Sequence, residues 1–243
     1  MKKNIQSLLR RDLEVIPLIA YFIFYFLYLF FDRVLEMKDY ALLVKPLIIP
    51  IIAFLYVTNK NSKRNLISIL LLLLLLLIFI SDNSTLLEMR TLYVYATMIY
   101  MFSVFILLYY ALLDNKFINS NKFFKRNLVY VLLGVIITTL LYWFSFYNPK
   151  EKAGEKFMVF EYMIVFLLLF LISTFNFIQQ KSKQTKYFFL ALLSLFLSEL
   201  CFSIHHYYNG HVAFKFLIFI VEVPVYYFLL KYLLKREKNI IEQ

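Results

Sequence analysis

Apolar residues along this chain gather into continuous runs of about 17–23 positions, the length a helix needs to cross the roughly 30 Å hydrocarbon layer of a bilayer. Short polar segments separate the runs. The runs do not alternate. Leu70 to Ile80 is unbroken, whereas a transmembrane barrel shows alternating segments of about ten residues. The pattern therefore predicts an all-α polytopic transmembrane bundle of about eight helices. The expected spans are 13–31, 40–57, 66–82, 91–113, 128–147, 157–179, 187–206 and 212–234. No linker, low-complexity tail or second soluble domain separates them, so residues 1–243 read as one integral membrane domain. The leucine tract of the third span codes no particular lateral face. Its packing must be specified elsewhere.

Composition agrees with this pattern. Apolar residues make up 63% of the chain and charged residues 17%, against roughly 45–50% and about 25% in soluble domains. Only three Gly and five Pro occur, too few for a turn-rich β fold. The stretch Val15 to Phe31 follows a basic N-terminal segment, as in a signal peptide. It is longer and more aromatic than a cleavable apolar core and no small-residue cleavage site follows, so it reads as a retained first helix.

Charge then sets orientation. The formal net charge is +11, but the cations lie between the apolar runs rather than on one face of a soluble fold. That argues against nucleic acid as a partner. Of the 26 Lys and Arg, 18 fall in one set of alternate connecting segments and 6 in the other. By the positive-inside rule both termini are expected on the cytoplasmic side. A chain rich in Lys, Asn, Ile and Phe points to a bacterium of low genomic GC content, and so to the inner membrane. Tyrosines near span ends, among them Tyr28, Tyr56, Tyr93, Tyr187 and Tyr232, fit interfacial anchoring. The lone Cys201 rules out an intrachain disulfide and a thiolate metal site.

Ionisable residues within spans are costly and often mark function. Lys45 lies in span two beside Pro46, Asp82 ends span three, Glu161 enters span six, Glu199 sits past the middle of span seven, and Glu222 is near the middle of span eight. His205 and His206 close span seven. All lie from mid-membrane to the non-cytoplasmic face, and the other half of the spans has almost nothing comparable. A polar cavity opening on the outer side is expected. Glu199 and His206, seven residues apart, share a helix face, with Ser198 and His205 on the next stripe. Lys215, Glu222 and Tyr226 share a face of span eight. Simpler roles exist for each. Asp82 and the His pair would sit comfortably in the headgroup region, and Lys45 is long enough to snorkel. Glu199 and Glu222 lie too deep for that and need a partner or a neutral state, which a structural ion pair would also supply.

Three local strings carry a family resemblance. They are Lys45-Pro46-Leu47 followed by Pro50, Ser81-Asp82 at the end of span three, and Ser198-Glu199 after Ala191-Leu192-Leu193 in span seven. Spread in this order over eight helices, they resemble the YhhN-like family of membrane proteins, whose characterised members are lysoplasmalogenases. Ser81 stands where that family has Gly, Glu199 where it has Asp, and Glu222 where the last helix often carries Gln. Span four lacks the family's His, with Tyr109 and Tyr110 the nearest polar residues.

The resemblance implies hydrolysis of the vinyl-ether bond of a lysophospholipid or similar amphiphile, yielding a fatty aldehyde and a glycerophospho-headgroup. Two carboxyls in unlike environments suit that chemistry, one protonated and one ionised. Glu199 is then the expected acid and Asp82 the ionised partner, with Lys45, Ser198, Glu222 and His206 contacting substrate. Membrane lipids are the expected partners. No cofactor and no metal is required, and three His beside one loop make a poor zinc site. The competing class is a transporter or accessory protein using the same residues as a relay, although no internal repeat supports it.

The orientation predicts that green fluorescent protein fused to the C-terminus fluoresces. Alkaline phosphatase joined after Asn148 should be active. The opposite pattern would invert the topology.

Overall fold

The computed structural model of the protein describes residues 2–59, 66–86, 90–115, 153–207 and 212–241. Among these the chain is helical and without strands. We number the helices α1 (Lys2–Leu29), α2 (Lys38–Val44), α3 (Ile48–Asn59), α4 (Leu66–Leu86), α5 (Arg90–Asn115), α6 (Ala153–Gln180), α7 (Lys183–Tyr207) and α8 (Val212–Ile241). Among the described residues, five stretches are long and apolar enough to cross a membrane: Val15–Asp32, Lys38–Asn59, Tyr95–Asp114, Phe160–Gln180 and Phe216–Arg236. A shorter apolar helix covers Ile69–Ser84. The span expected over 128–147 lies outside the described residues.

The outward faces are those of a protein solvated by hydrocarbon. On α1, Ile16, Ile19, Phe22, Ile23 and Phe26 are exposed, while Tyr21, Tyr25 and Tyr28 point inward and are buried. Exposed Leu72, Leu73 and Leu76 continue the apolar surface on α4. Water would not tolerate so continuous a patch, but lipid favours it.

Helix α7 packs along α8, α4 along α5, α5 along α6, and α1 along α3. The connections include two tight ones. A π turn over Phe30–Val34 ends α1, and Glu36 takes a positive φ of 54° before α2 begins. Between α6 and α7 only Lys181 and Ser182 intervene, with Lys181 at φ 48°. Ser182 then caps α7, its Oγ accepting the Thr185 amide at 3.1 Å.

Pro46 and Pro50 break the stretch from α2 to α3. Neither has an amide hydrogen, so neither can bond the carbonyl one turn back. The chain responds with a 3-10 turn over Lys45–Leu47. That turn sets Lys45 against α1, with its Nζ 5.1 Å from the centroid of the Tyr28 ring.

A second polar group occupies the C-terminal end of α5. Asp114 is buried and receives three side-chain donors: Arg236 Nε at 3.1 Å, Tyr232 OH at 2.8 Å and Gln184 Nε2 at 3.0 Å. Gln180 donates to the Asp114 carbonyl at 2.6 Å, and Asn176 to the Ala111 carbonyl at 2.8 Å. The Arg236 guanidinium also stacks over Tyr110 at 4.4 Å, and Tyr232 stacks on Phe188 at 4.2 Å. The Asp114 carboxylate thus joins α5, α7 and α8, and backbone carbonyls of α5 hold α6 beside it.

This cluster corrects the expectation that the half of the spans assigned to the cytoplasmic side is nearly free of polar groups. Asp114 and Arg236 stand at span ends, where a count of charges reads them as loop residues. Tyr28, Tyr56 and Tyr232 are likewise buried between helices rather than anchored at a lipid interface.

Removing one member of a buried ion pair leaves the other uncompensated and costs about 3–5 kcal/mol. Arg236→Met alone should therefore lower the thermal unfolding temperature in detergent. Adding Asp114→Asn should recover most of the loss. If the double variant is as unstable as the single one, the pair is not what holds this end together.

Candidate functional site

The polar residues at the other end of the bundle converge on one pocket. It is lined by Tyr25, Tyr28, Lys45, Ile48, Ile49, Asp82, Asn83, Glu222 and Tyr226. Helix α1 supplies the first two, and the turn after α2 supplies Lys45. The start of α3 provides the isoleucines, the end of α4 provides Asp82 and Asn83, and α8 closes the site. The space inside is narrow, with room for about one water molecule.

Local structure explains the convergence. Tyr21, Tyr25 and Tyr28 recur at intervals of four and three, so they form one stripe on α1. The Tyr21 hydroxyl donates to the Val223 carbonyl of α8, while the rings of Tyr25 and Tyr226 lie 6.4 Å apart. These contacts bring α8 onto α1. At the end of α4, Ser81 Oγ donates to the Ala96 carbonyl of α5 at 2.8 Å, which turns the next residue, Asp82, towards α8. There the Tyr226 hydroxyl donates to Asp82 Oδ2. Asn83 Nδ2 donates back to the Phe79 carbonyl at 2.7 Å. Its Oδ1 is buried with no hydrogen-bond partner among the described residues.

Charge is concentrated here. Lys45 interacts electrostatically with Tyr28, Asp82 and Glu222. Glu222 in turn acts on Tyr21, Tyr25, Tyr100, Glu199 and Tyr226. Two carboxyls, Asp82 and Glu222, thus share the neighbourhood of one ammonium, and Glu199 interacts electrostatically with both of them. Such a set needs protons, hydroxyl donors or a cationic guest to persist in low dielectric.

Of the residues picked out in the sequence, Lys45, Asp82 and Glu222 come together in the pocket wall. Glu199 does not line it. Its Oε1 lies 3.5 Å from the hydroxyl of Tyr162 on α6, and it interacts electrostatically with Glu222 and Asp82. Ser198 is buried on α7, also away from the lining. His206 belongs to α7, but its side chain lies outside the described residues. Among the described residues no group of three His, Cys, Asp or Glu is placed to hold a metal ion.

The tyrosines are what the sequence reading undervalued. Tyr25, Tyr28 and Tyr226 line the pocket, and Tyr100 and Tyr162 stand behind it with ring centroids 5.7 Å apart. The stripe on α1 was a legible signal, as was Tyr226 one turn after Glu222. Nothing in the local sequence distinguished Tyr100 or Tyr162 from the other tyrosines.

Because Lys45 is the cation among these carboxyls, Lys45→Met should lower the unfolding temperature by about 5 °C or more. Adding Asp82→Asn should restore more of it than adding Glu199→Gln. Equal restoration by both would mean that Lys45 does not act mainly on Asp82.

Comparison with protein-family models, with curated proteins and with solved structures finds no match to this chain.

Proposed function

We propose that the chain is a divergent YhhN-like membrane protein that hydrolyses the vinyl ether of a lysolipid. In this reading it crosses a bacterial inner membrane about eight times, with both termini cytoplasmic. The observation that carries the proposal is that Asp82, Glu222 and Lys45 line one pocket together with Tyr25, Tyr28 and Tyr226. The order of Lys45-Pro46-Leu47, Ser81-Asp82 and Ser198-Glu199 along the chain supports it.

The chemistry is acid–base. A carboxylic acid gives its proton to the alkenyl carbon remote from the ether oxygen, leaving an oxocarbenium ion. Glu199 is assigned that proton. Asp82, ionised and held by Tyr226, faces the developing positive charge and takes a proton from the water that adds to it. The resulting hemiacetal passes its hydroxyl proton to the departing oxygen as the carbon–oxygen bond breaks, releasing the fatty aldehyde and the free hydroxyl of the glycerophospho-headgroup. The Oδ1 of Asn83, without a hydrogen-bond partner among the described residues, is an acceptor suited to orienting that water. Lys45 is the group for the lipid phosphate, with Glu222, Ser198 and His206 as further substrate contacts.

The narrowness of the pocket favours a second reading. Space for about one water suits a proton or ion relay in a transporter or accessory protein. Hydrolysis requires α8 to move outward before a lipid is admitted.

One experiment separates the two. The purified protein is incubated with vinyl-ether and acyl lysolipids, and products are read by mass spectrometry. Aldehyde should appear from the vinyl ether alone. It should fall by about 100-fold or more in Asp82→Asn and in Glu199→Gln, with both variants still monodisperse. Full activity in the double variant, or no turnover of any lipid by the wild type, would sink the hydrolase reading.

A further inference from the structure

The pocket has room for about one water molecule, so a larger guest needs part of its wall to yield. The walls are not equally held. Asp82 is fixed through its neighbour Ser81, whose Oγ donates to the Ala96 carbonyl at 2.8 Å. The C-terminal half of α8 is clamped by Tyr187 stacked on Phe228, Phe188 stacked on Tyr232, and the Asp114 carboxylate. The N-terminal half of α8 is looser. Ile218 is buried there, but Phe216, Leu217 and Ile220 are exposed. Its tie to α1 is the hydrogen bond from the Tyr21 hydroxyl to the Val223 carbonyl.

Aromatic rings fill the seam where α1 meets α8. An outer pair, Phe22 and Tyr227, has centroids 6.1 Å apart, and Phe22 is 41% exposed on the apolar outer surface. An inner pair, Tyr25 and Tyr226, has centroids 6.4 Å apart and lines the pocket. At this seam, then, two layers of rings stand between the pocket and lipid.

Pro224 directly follows the carbonyl that Tyr21 holds. It has no amide hydrogen to give the Ile220 carbonyl, and its ring crowds that carbonyl, so the helix bends most readily here. A latch and a hinge therefore occupy neighbouring residues, at the place where the seam is closed.

We propose that the Val212–Val223 segment of α8 is a gate. It swings about Pro224 when Tyr21 releases Val223, and it admits a single-chain amphiphile sideways from the bilayer between α1 and α8. The identity of the guest rests on the lysolipid reading; the gate itself does not. Opening draws Glu222 away from Lys45, its neighbour in the pocket wall, and frees the ammonium for a lipid phosphate. Tyr226 lies beyond the hinge and keeps its bond to Asp82. Closure returns Glu222 to the site and shuts out the surroundings. A seam closed by one ring from each helix at each level suits one chain rather than two.

The test measures the distance across the seam. Spin labels are placed at Ile19→Cys and Ile220→Cys, both exposed positions, in a Cys201→Ser background in lipid nanodiscs. Tyr21→Phe removes the latch and should raise the ratio of long to short distances roughly fivefold, as expected for one hydrogen bond. An alkyl-ether lysophosphocholine, which has no vinyl ether to hydrolyse, should do the same to the protein with Tyr21 intact. Pro224→Ala should suppress both effects. A distribution unchanged by Tyr21→Phe or by the lipid overturns the gate, and widening that survives Pro224→Ala overturns the hinge. Lowered thermal stability without a longer distance would make Tyr21 a packing residue and nothing more.

A second measurement separates the gate from the hydrolase. In Phe22→Cys, Tyr227→Cys, a bifunctional thiol reagent that a reductant removes should slow turnover of a vinyl-ether lysolipid by about tenfold or more until it is removed. Turnover unaffected by the cross-link keeps the hydrolase and overturns the gate. Widening with lipid but no turnover in any form keeps the gate and ends the hydrolase reading.

Discussion

Hydrocarbon offers no hydrogen bond, so each polar group placed within a span must be answered from inside the protein. That constraint organises the molecule. The outward surface is rich in aliphatic and phenylalanine side chains, and the tyrosine stripe of α1, Tyr21, Tyr25 and Tyr28, turns inward. Inside, the polar groups do not scatter. They gather at two places, one around Asp114 and Arg236, the other around Asp82, Glu222 and Lys45. The two clusters differ in character. The first pairs a carboxylate with a guanidinium and satisfies it with three donors. The second holds more acids than bases and meets them with phenols. A carboxylate so satisfied is a fastener. An unbalanced set of this kind marks a candidate functional site.

Helix α8 carries part of both. Glu222 and Arg236 lie about 21 Å apart along its axis, and Pro224 stands inside the helix on the pocket side. A proline there removes one backbone bond and favours a bend. Its C-terminal end is bound to α5 and α7 through the Asp114 carboxylate, so any movement of α8 would concentrate in the segment that carries Glu222 and Tyr226. Against that movement stands the bond from Tyr21 to the Val223 carbonyl, one residue before the proline.

Much of this architecture was legible in the sequence, because a bilayer imposes length and composition on what crosses it. The apolar runs gave the helices, and misplaced charges gave Lys45, Asp82 and Glu222, which the fold does bring to one pocket. Glu199 was visible for the same reason, but its distance from the pocket wall was not. That depends on how α7 sits against α6. Asp114 and Arg236 escaped notice because a residue at a span end is ambiguous between loop and core until its neighbours are known. Tyr100 and Tyr162 escaped it because a tyrosine in an aromatic-rich chain carries no pattern of its own. Only tertiary packing gives it a partner.

The leucine tract of α4 carries one further consequence. Leu71, Leu74 and Leu75 are buried while Leu72, Leu73 and Leu76 are exposed, yet all six side chains are the same. Turning the helix about its axis by one residue, about 100°, would exchange like for like along most of its length. Hydrophobicity therefore places almost no torque on this rod. The resistance comes from its last turns, where Ser81 is tied to Ala96 and Asp82 to Tyr226. The acid in the pocket is thus also the key that stops the helix from spinning, and a chemical group and a mechanical stop share one side chain.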